Sequence, residues 1–198
     1  MTESIFDVIF CLLMVMLTLL LLLQLCKQIL ADEGKSQTKI IVFTDGRIGA
    51  GDVACESLEK EGLGCTWLDP TDSVEQKNKK LAWYQYADVT EEDKKRPRVL
   101  VLHFEHAAGL NLQAECHNLI LFTPLYVGEG GTTGDPVVDA STELQAIGRV
   151  FRPGQPQKEV HVYRIDVQGP SGEECLDGHL IRRNTDKETI EMAVNADD

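Results

Sequence analysis

Residues 143–155 read ELQAIGRVFRPGQ, and their types and spacing suit phosphate chemistry. On a helix, Gln145, Arg149 and Arg152 stand at i, i+4 and i+7 and share one narrow stripe. Leu144, Ile147, Val150 and Phe151 fall on the opposite side, and Pro153-Gly154 is the predicted stop. Two guanidinium groups on a rigid element can bond phosphoryl oxygens bidentately and keep their charge at every physiological pH. The same pattern also describes the solvated arginine face of an ordinary surface helix.

The elements that must position this stripe can be read from hydropathy. Helices are expected to about Asp32, over Ala50–Glu61 (ended by Gly62), over Ser73–Tyr86 and over Ala140–Phe151, with a short helical turn at Leu110–Ala114. Strands are expected at Lys39–Thr44, Cys65–Leu68, Val99–Phe104 and Leu119–Phe122, and at Glu159–Ile165 with alternating faces. Continuous apolar strands separated by helices indicate an α/β fold, a parallel sheet with helices on both faces. Gly169 to Gly178 reads as a loop and Thr185 to Val194 as a terminal helix.

With those elements in place, residues 143–155 resemble motif VI of superfamily-two helicases, and RxxRxGQ, Arg149 to Gln155, is closest to the Swi/Snf-type ATPases. Ala108-Gly109-Leu110-Asn111-Leu112-Gln113-Ala114 with the apolar run Leu119 to Phe122 resembles motif V, and Lys39 to Thr44 resembles the motif IV strand. Val160 to Arg164 resembles the strand after motif VI. Thr123-Pro124-Leu125 stands where the family has an aspartate and a tryptophan-asparagine-proline stretch. The resemblance implies a RecA-like C-terminal lobe over residues 28–166. It implies that Arg149 and Arg152 act as catalytic arginine fingers on ATP held by a first lobe, and that Gln145 and Gly148 line the interlobe nucleotide cleft. It further implies that Thr44, Gly109, Leu110 and Asn111 approach the nucleic-acid backbone. Arg164, on the later strand, is expected to matter less.

The chain has 198 residues, enough for one ordinary domain plus tails. One lobe fits, so ATP and Mg are expected only with a partner first lobe, in cis or in trans, and none is expected on this chain alone. Gly34-Lys35-Ser36 ends like a phosphate-binding loop, but the first required glycine falls on Ile29 and no strand precedes it. Asp45 and Glu105 end apolar runs and read as loop acids. His103, His106, Cys116 and His117 match no standard zinc spacing, so no metal site is expected. The formal net charge is −13, which opposes the phosphate backbone and leaves DNA binding weak. Lys77, Lys79 and Lys80, then Lys94, Lys95, Arg96 and Arg98, are local basic runs read as a solvated face. Six cysteines without a CxxC pair suit reduced thiols, with Cys55 and Cys116 in the core.

Residues 1–27 form an apolar N-terminal helix, and Val8 to Cys26 carry no charge, long enough to be a membrane span. The flank has Glu3 and Asp7 and no cleavage site, unlike a secretory signal. Alternatively Leu21 to Ala31 is the helix that precedes motif IV in the family, and does not span. Residues 167–198 form an acidic tail. Three functions stand side by side: the second lobe of a helicase-like ATPase, a non-catalytic remnant that keeps the fold, and a membrane-tethered interaction module. The first implies a nucleus, the last a membrane with the lobe in the cytosol.

Overall fold

The computed structural model describes residues 5–32, 38–44, 49–85, 96–104, 110, 112, 116–123, 136–166 and 181–182. Three strands have the composition of a sheet covered on both sides. β1 (Ile40–Thr44) is buried throughout, as is β4 (Asn118–Leu121), and β3 (Val99–His103) is buried except at His103. β2 (Cys65–Leu68) and β5 (His161–Arg164) are less covered and stand at the edges. The order is β2-β3-β1-β4-β5, and every pairing is parallel, with Ile40 opposite both Val99 and Asn118.

Parallel neighbours need crossover helices, and right-handed crossovers place a helix according to the direction of travel across the sheet. α2 (Ala50–Lys60) leads outward from β1 to β2, and α3 (Val74–Gln85) leads back from β2 to β3. They lie on opposite faces. α1 (Ile5–Asp32) and α2 cover the face made by Ile40, Val42, Val99, Val101 and Ile120. α3 and α4 (Pro136–Ile147) cover the face made by Ile41, Phe43, Leu100, Leu102, Leu119 and Leu121. Alternation along each central strand therefore feeds two cores at once.

α1 is continuous across residues 27 and 28. Its Leu22, Cys26 and Ile29 recur at i, i+4 and i+7 and are buried against the sheet. Leu13, Met16, Leu17 and Leu20 lie on the outer side of its earlier turns and are exposed. Gly51 in α2 sits under the Trp67 ring, where a Cβ would come within 2.4 Å of the indole, so only glycine lets helix and edge strand meet.

Several expectations change. The last strand does not alternate: His161 and Val162 are exposed, while Tyr163 and Arg164 are half-buried. An edge strand has little packed over either face, so periodicity carries less information there. Cys55 is half-buried, whereas Cys116 is in the core. Leu110 and Leu112, the described part of the expected turn, are not helical. The stretches Gly34–Ser36, Gly169–Gly178 and Thr185–Val194, with Asp45, Glu105 and His106, lie outside the described residues.

Candidate nucleotide-facing segment

α4 ends at Ile147, one residue before Gly148 and well short of the expected Phe151. Gly148 and Phe151 donate to carbonyls four residues back, while Arg149 and Val150 donate only three back, at 3.1 and 3.0 Å. The helix thus tightens as it ends, a common way to satisfy terminal carbonyls. Glycine is a weak helix former, and Gly148 is where the α-helix gives way. Pro153-Gly154 has a different task from the expected stop. Gln155 donates its backbone N–H to the Arg152 carbonyl at 3.0 Å, and Gly154 has φ +96°. That is a turn with proline at its second position and a left-handed glycine at its third, the type II pattern.

This shortening breaks the single stripe. Gln145 is exposed on α4 itself, whereas Arg149 and Arg152 lie in the irregular segment beyond it. Val150 is buried, but Phe151, expected on the packed side, is 67% exposed. Arg152 turns back and donates Nε–H to the Gly148 carbonyl at 2.8 Å, capping the negative end of the helix. The Arg149 Nε is buried and has no hydrogen-bond acceptor among the described residues. Gly148, Arg149 and Arg152 are thereby held in one short turn.

Two contacts that the sequence reading missed hold this segment in place. The Gln155 amide nitrogen donates to the Cys116 carbonyl at 2.9 Å and to the Val150 carbonyl at 3.1 Å, tying the turn to the start of β4. Glu143 on α4 is fully buried and forms an ion pair with Arg164 on β5. Arg164 is therefore an anchor of the fold and no neutral reference for its neighbours. A buried glutamate needs a cation, and that need was the available signal, but periodicity could not name a partner 21 residues away.

The nucleic-acid candidates are placed less openly. Thr44 is fully buried at the end of β1, and its hydroxyl accepts a hydrogen bond from Thr123 at 3.3 Å. Leu110 is half-buried and packs against the core beneath α4. Gly109 and Asn111 lie outside the described residues. Among the described residues no group of three or more His, Cys, Asp or Glu could hold a metal ion. The Cys116 Sγ lies 3.1 Å from the Lys39 carbonyl and 3.0 Å from that of Asn118, and burial pushes its thiol up to about 12.

No family model matches the chain, and no curated protein is a significant match. Solved structures do match. The C-terminal part of the Fun30 ATPase domain superposes with a TM-score of 0.56 at 19% identity, over 88% of this chain and 53% of that one. The Pyrococcus furiosus Hef helicase domain gives 0.50 at 19% identity, over 78% of this chain and 26% of that one. The C-terminal domain of the DEAD-box protein Dbp5 gives 0.50 at 16% identity, over 78% of this chain and 72% of that one. The chain spans about half the length of the Fun30 structure. Its parallel five-stranded sheet between two helical layers has the fold of a superfamily-two helicase C-terminal lobe.

Proposed function

We propose that the chain is the second lobe of a Swi/Snf-like ATP-dependent DNA translocase, acting only with a first lobe that carries ATP and Mg. The observation that supports it best is the Arg149 Nε, buried without an acceptor among the described residues. A buried donor left unsatisfied costs about 1–3 kcal/mol, a cost relieved if the turn shifts to open the Nε to an incoming phosphate oxygen. Arg152 stands three residues away, fixed through its Nε to the helix end, so the two guanidinium groups are presented as a pair. In phosphoryl transfer the protein mainly positions groups and stabilises charge, and an arginine supplied across an interface contributes about 10³–10⁵ in rate. Gln145 and Gly148 line the cleft between lobes in this reading, and Gly109, Leu110, Asn111 and Thr44 face the strand. With a net charge of −13, affinity for DNA is weak until the first lobe joins.

The test is a chimera with a compatible first lobe, in which this chain restores ATP hydrolysis. Arg152→Ala and Arg149→Ala each lower turnover at least ~100-fold, as the finger role requires. Arg152→Lys fails as well, because a point charge does not reproduce the planar fork. Lys60→Ala, on an exposed turn of α2, is the neutral reference. If Arg152→Ala chimeras fold and turn over as the unmutated chimera does, Arg152 is only a helix cap and the non-catalytic reading wins.

The bare outer side of α1 favours a second reading, in which the lobe is tethered to a membrane in the cytosol. Leu13, Met16 and Leu20 are each about 60% exposed, and no charged residue stands between Leu13 and Leu20, so this face offers apolar surface. Recovery of the chain in the membrane fraction, and its loss from that fraction on Leu17→Asp, separates a tethered lobe from a nuclear one.

A further inference from the structure

The two basic runs of the sequence, around Lys79 and Arg96, are brought together by the fold. β2 carries Thr66 on the face that α3 covers, and α3 presents Gln76, Lys79, Lys80 and Trp83 beside it. Arg96, just before β3, closes the same hollow, which has a volume of about 580 Å³. That is the size of a pocket for a small organic ligand. The adjacent Tyr84 is fully buried, so Trp83 must point away from the core, and it is 45% exposed. The Arg96 guanidinium carbon lies 5.4 Å from the centre of the Trp83 ring. Lys80 is paired with Asp72 at 2.6 Å, and Lys79 is exposed on the rim.

We propose that this hollow binds a nucleotide, the base against Trp83 and the phosphate between Lys79 and Arg96. An aromatic wall with aliphatic lysine stems suits a flat ring, and the cations at its rim suit a phosphate joined to that ring through a sugar. A local cationic rim on a chain of net charge −13 attracts anions only at close range, which selects a ligand that also gains from stacking. The site is separate from the arginine turn. The hollow lies at β2 and the start of β3, and the arginine turn is tied to the start of β4, two to three strand spacings away, or roughly 10–14 Å. Both lie at the end of the sheet where strands begin, the Tyr84 hydroxyl, one residue from Trp83, donating to the Ile40 carbonyl at the start of β1, so the sideways offset is what separates them. The inference therefore stands whether or not the lobe serves a motor.

The full chain is titrated with AMP, with a labelled oligothymidylate, with inorganic phosphate and with polyglutamate. Saturable quenching of Trp83 emission by AMP or the oligonucleotide is expected, with the signal lost in Trp83→Phe and affinity largely kept. Trp83→Ala and Lys79→Glu each weaken binding about tenfold or more, whereas Lys60→Ala, exposed on α2, does not. Equal affinity for AMP and for the oligonucleotide assigns a free nucleotide. Tighter, salt-steep binding of the oligonucleotide assigns a single strand. Binding that phosphate or polyglutamate matches, or that survives both Trp83→Ala and Lys79→Glu in chains with unchanged circular dichroism, overturns the proposal. So does the absence of saturable binding by either nucleotide probe.

Discussion

Two corners of the molecule fasten a helix with an ion pair, and they do so on different terms. At one corner Glu143 and Arg164 join α4 to β5, the glutamate fully buried and the arginine side chain 20% exposed. At the other, Lys27 and Glu61 join α1 to the end of α2 at 2.6 Å, with side chains 51% and 45% exposed. The exposed pair sits above Leu22, Cys26 and Ile29, which already dock α1 on the sheet. The buried pair is itself part of what docks α4. Removing a partner from water-exposed charges leaves solvated groups, while removing one from a buried pair strands a charge in low dielectric.

The comparison can be broken in three ways. The largest effect belongs to Arg164→Ala, which takes the ion-pair partner from the fully buried Glu143 and lowers unfolding stability by about 3–5 kcal/mol. Urea denaturation measures it, and a loss below ~1 kcal/mol would mean water reaches Glu143 in the folded chain. Next comes Leu22→Ala, which opens a cavity under α1 and costs about 2–4 kcal/mol, against almost nothing for the exposed Leu20→Ala. Equal losses at the two positions would show that α1 does not rest on the sheet by the stated side. Lys27→Ala is the smallest, at most ~1 kcal/mol and shrinking further in high salt. A larger, salt-independent loss would place this pair in the same class as Glu143 and Arg164.

Titration adds a condition on the first result. The Cys116 thiol is held up to about 12 by burial, so the folded state resists ionisation that the unfolded chain accepts near 9. The raised value means its contribution is whole below about pH 9 and is lost as pH rises towards 12. Stability of the wild-type chain is expected to fall across that window, and Cys116→Ala is expected to flatten the fall. A slope unchanged in the variant would assign the alkaline loss to other groups.

The central sheet could be read from the chain because the apolar residues of β1, β3 and β4 each meet one of two cores. The end of α4 could not, because its geometry depends on partners far along the chain. Apolar spacing carried the helix on to Phe151, while Gly148 and the bonds from Arg152 and Gln155 turned the backbone earlier. The arginines were legible as types and neighbours. Their settings, one capping a helix and one with a buried Nε, came only from the fold. The hollow beside Trp83 was hidden for a related reason: its cations come from two runs that meet only when β2, α3 and β3 assemble.

α1 contains neither glycine nor proline over its 28 residues. It rises about 42 Å without a joint, and its final turns are locked into the sheet through Leu22, Cys26 and Ile29. On the turns before Leu22, Leu13, Val15, Met16, Leu17 and Leu20 are exposed while Met14 and Leu19 pack against the core. Such a helix is a handle, not a leash. Whatever grips the bare leucines sets the tilt and azimuth of the whole sheet, and with them the direction in which Arg149 and Arg152 point.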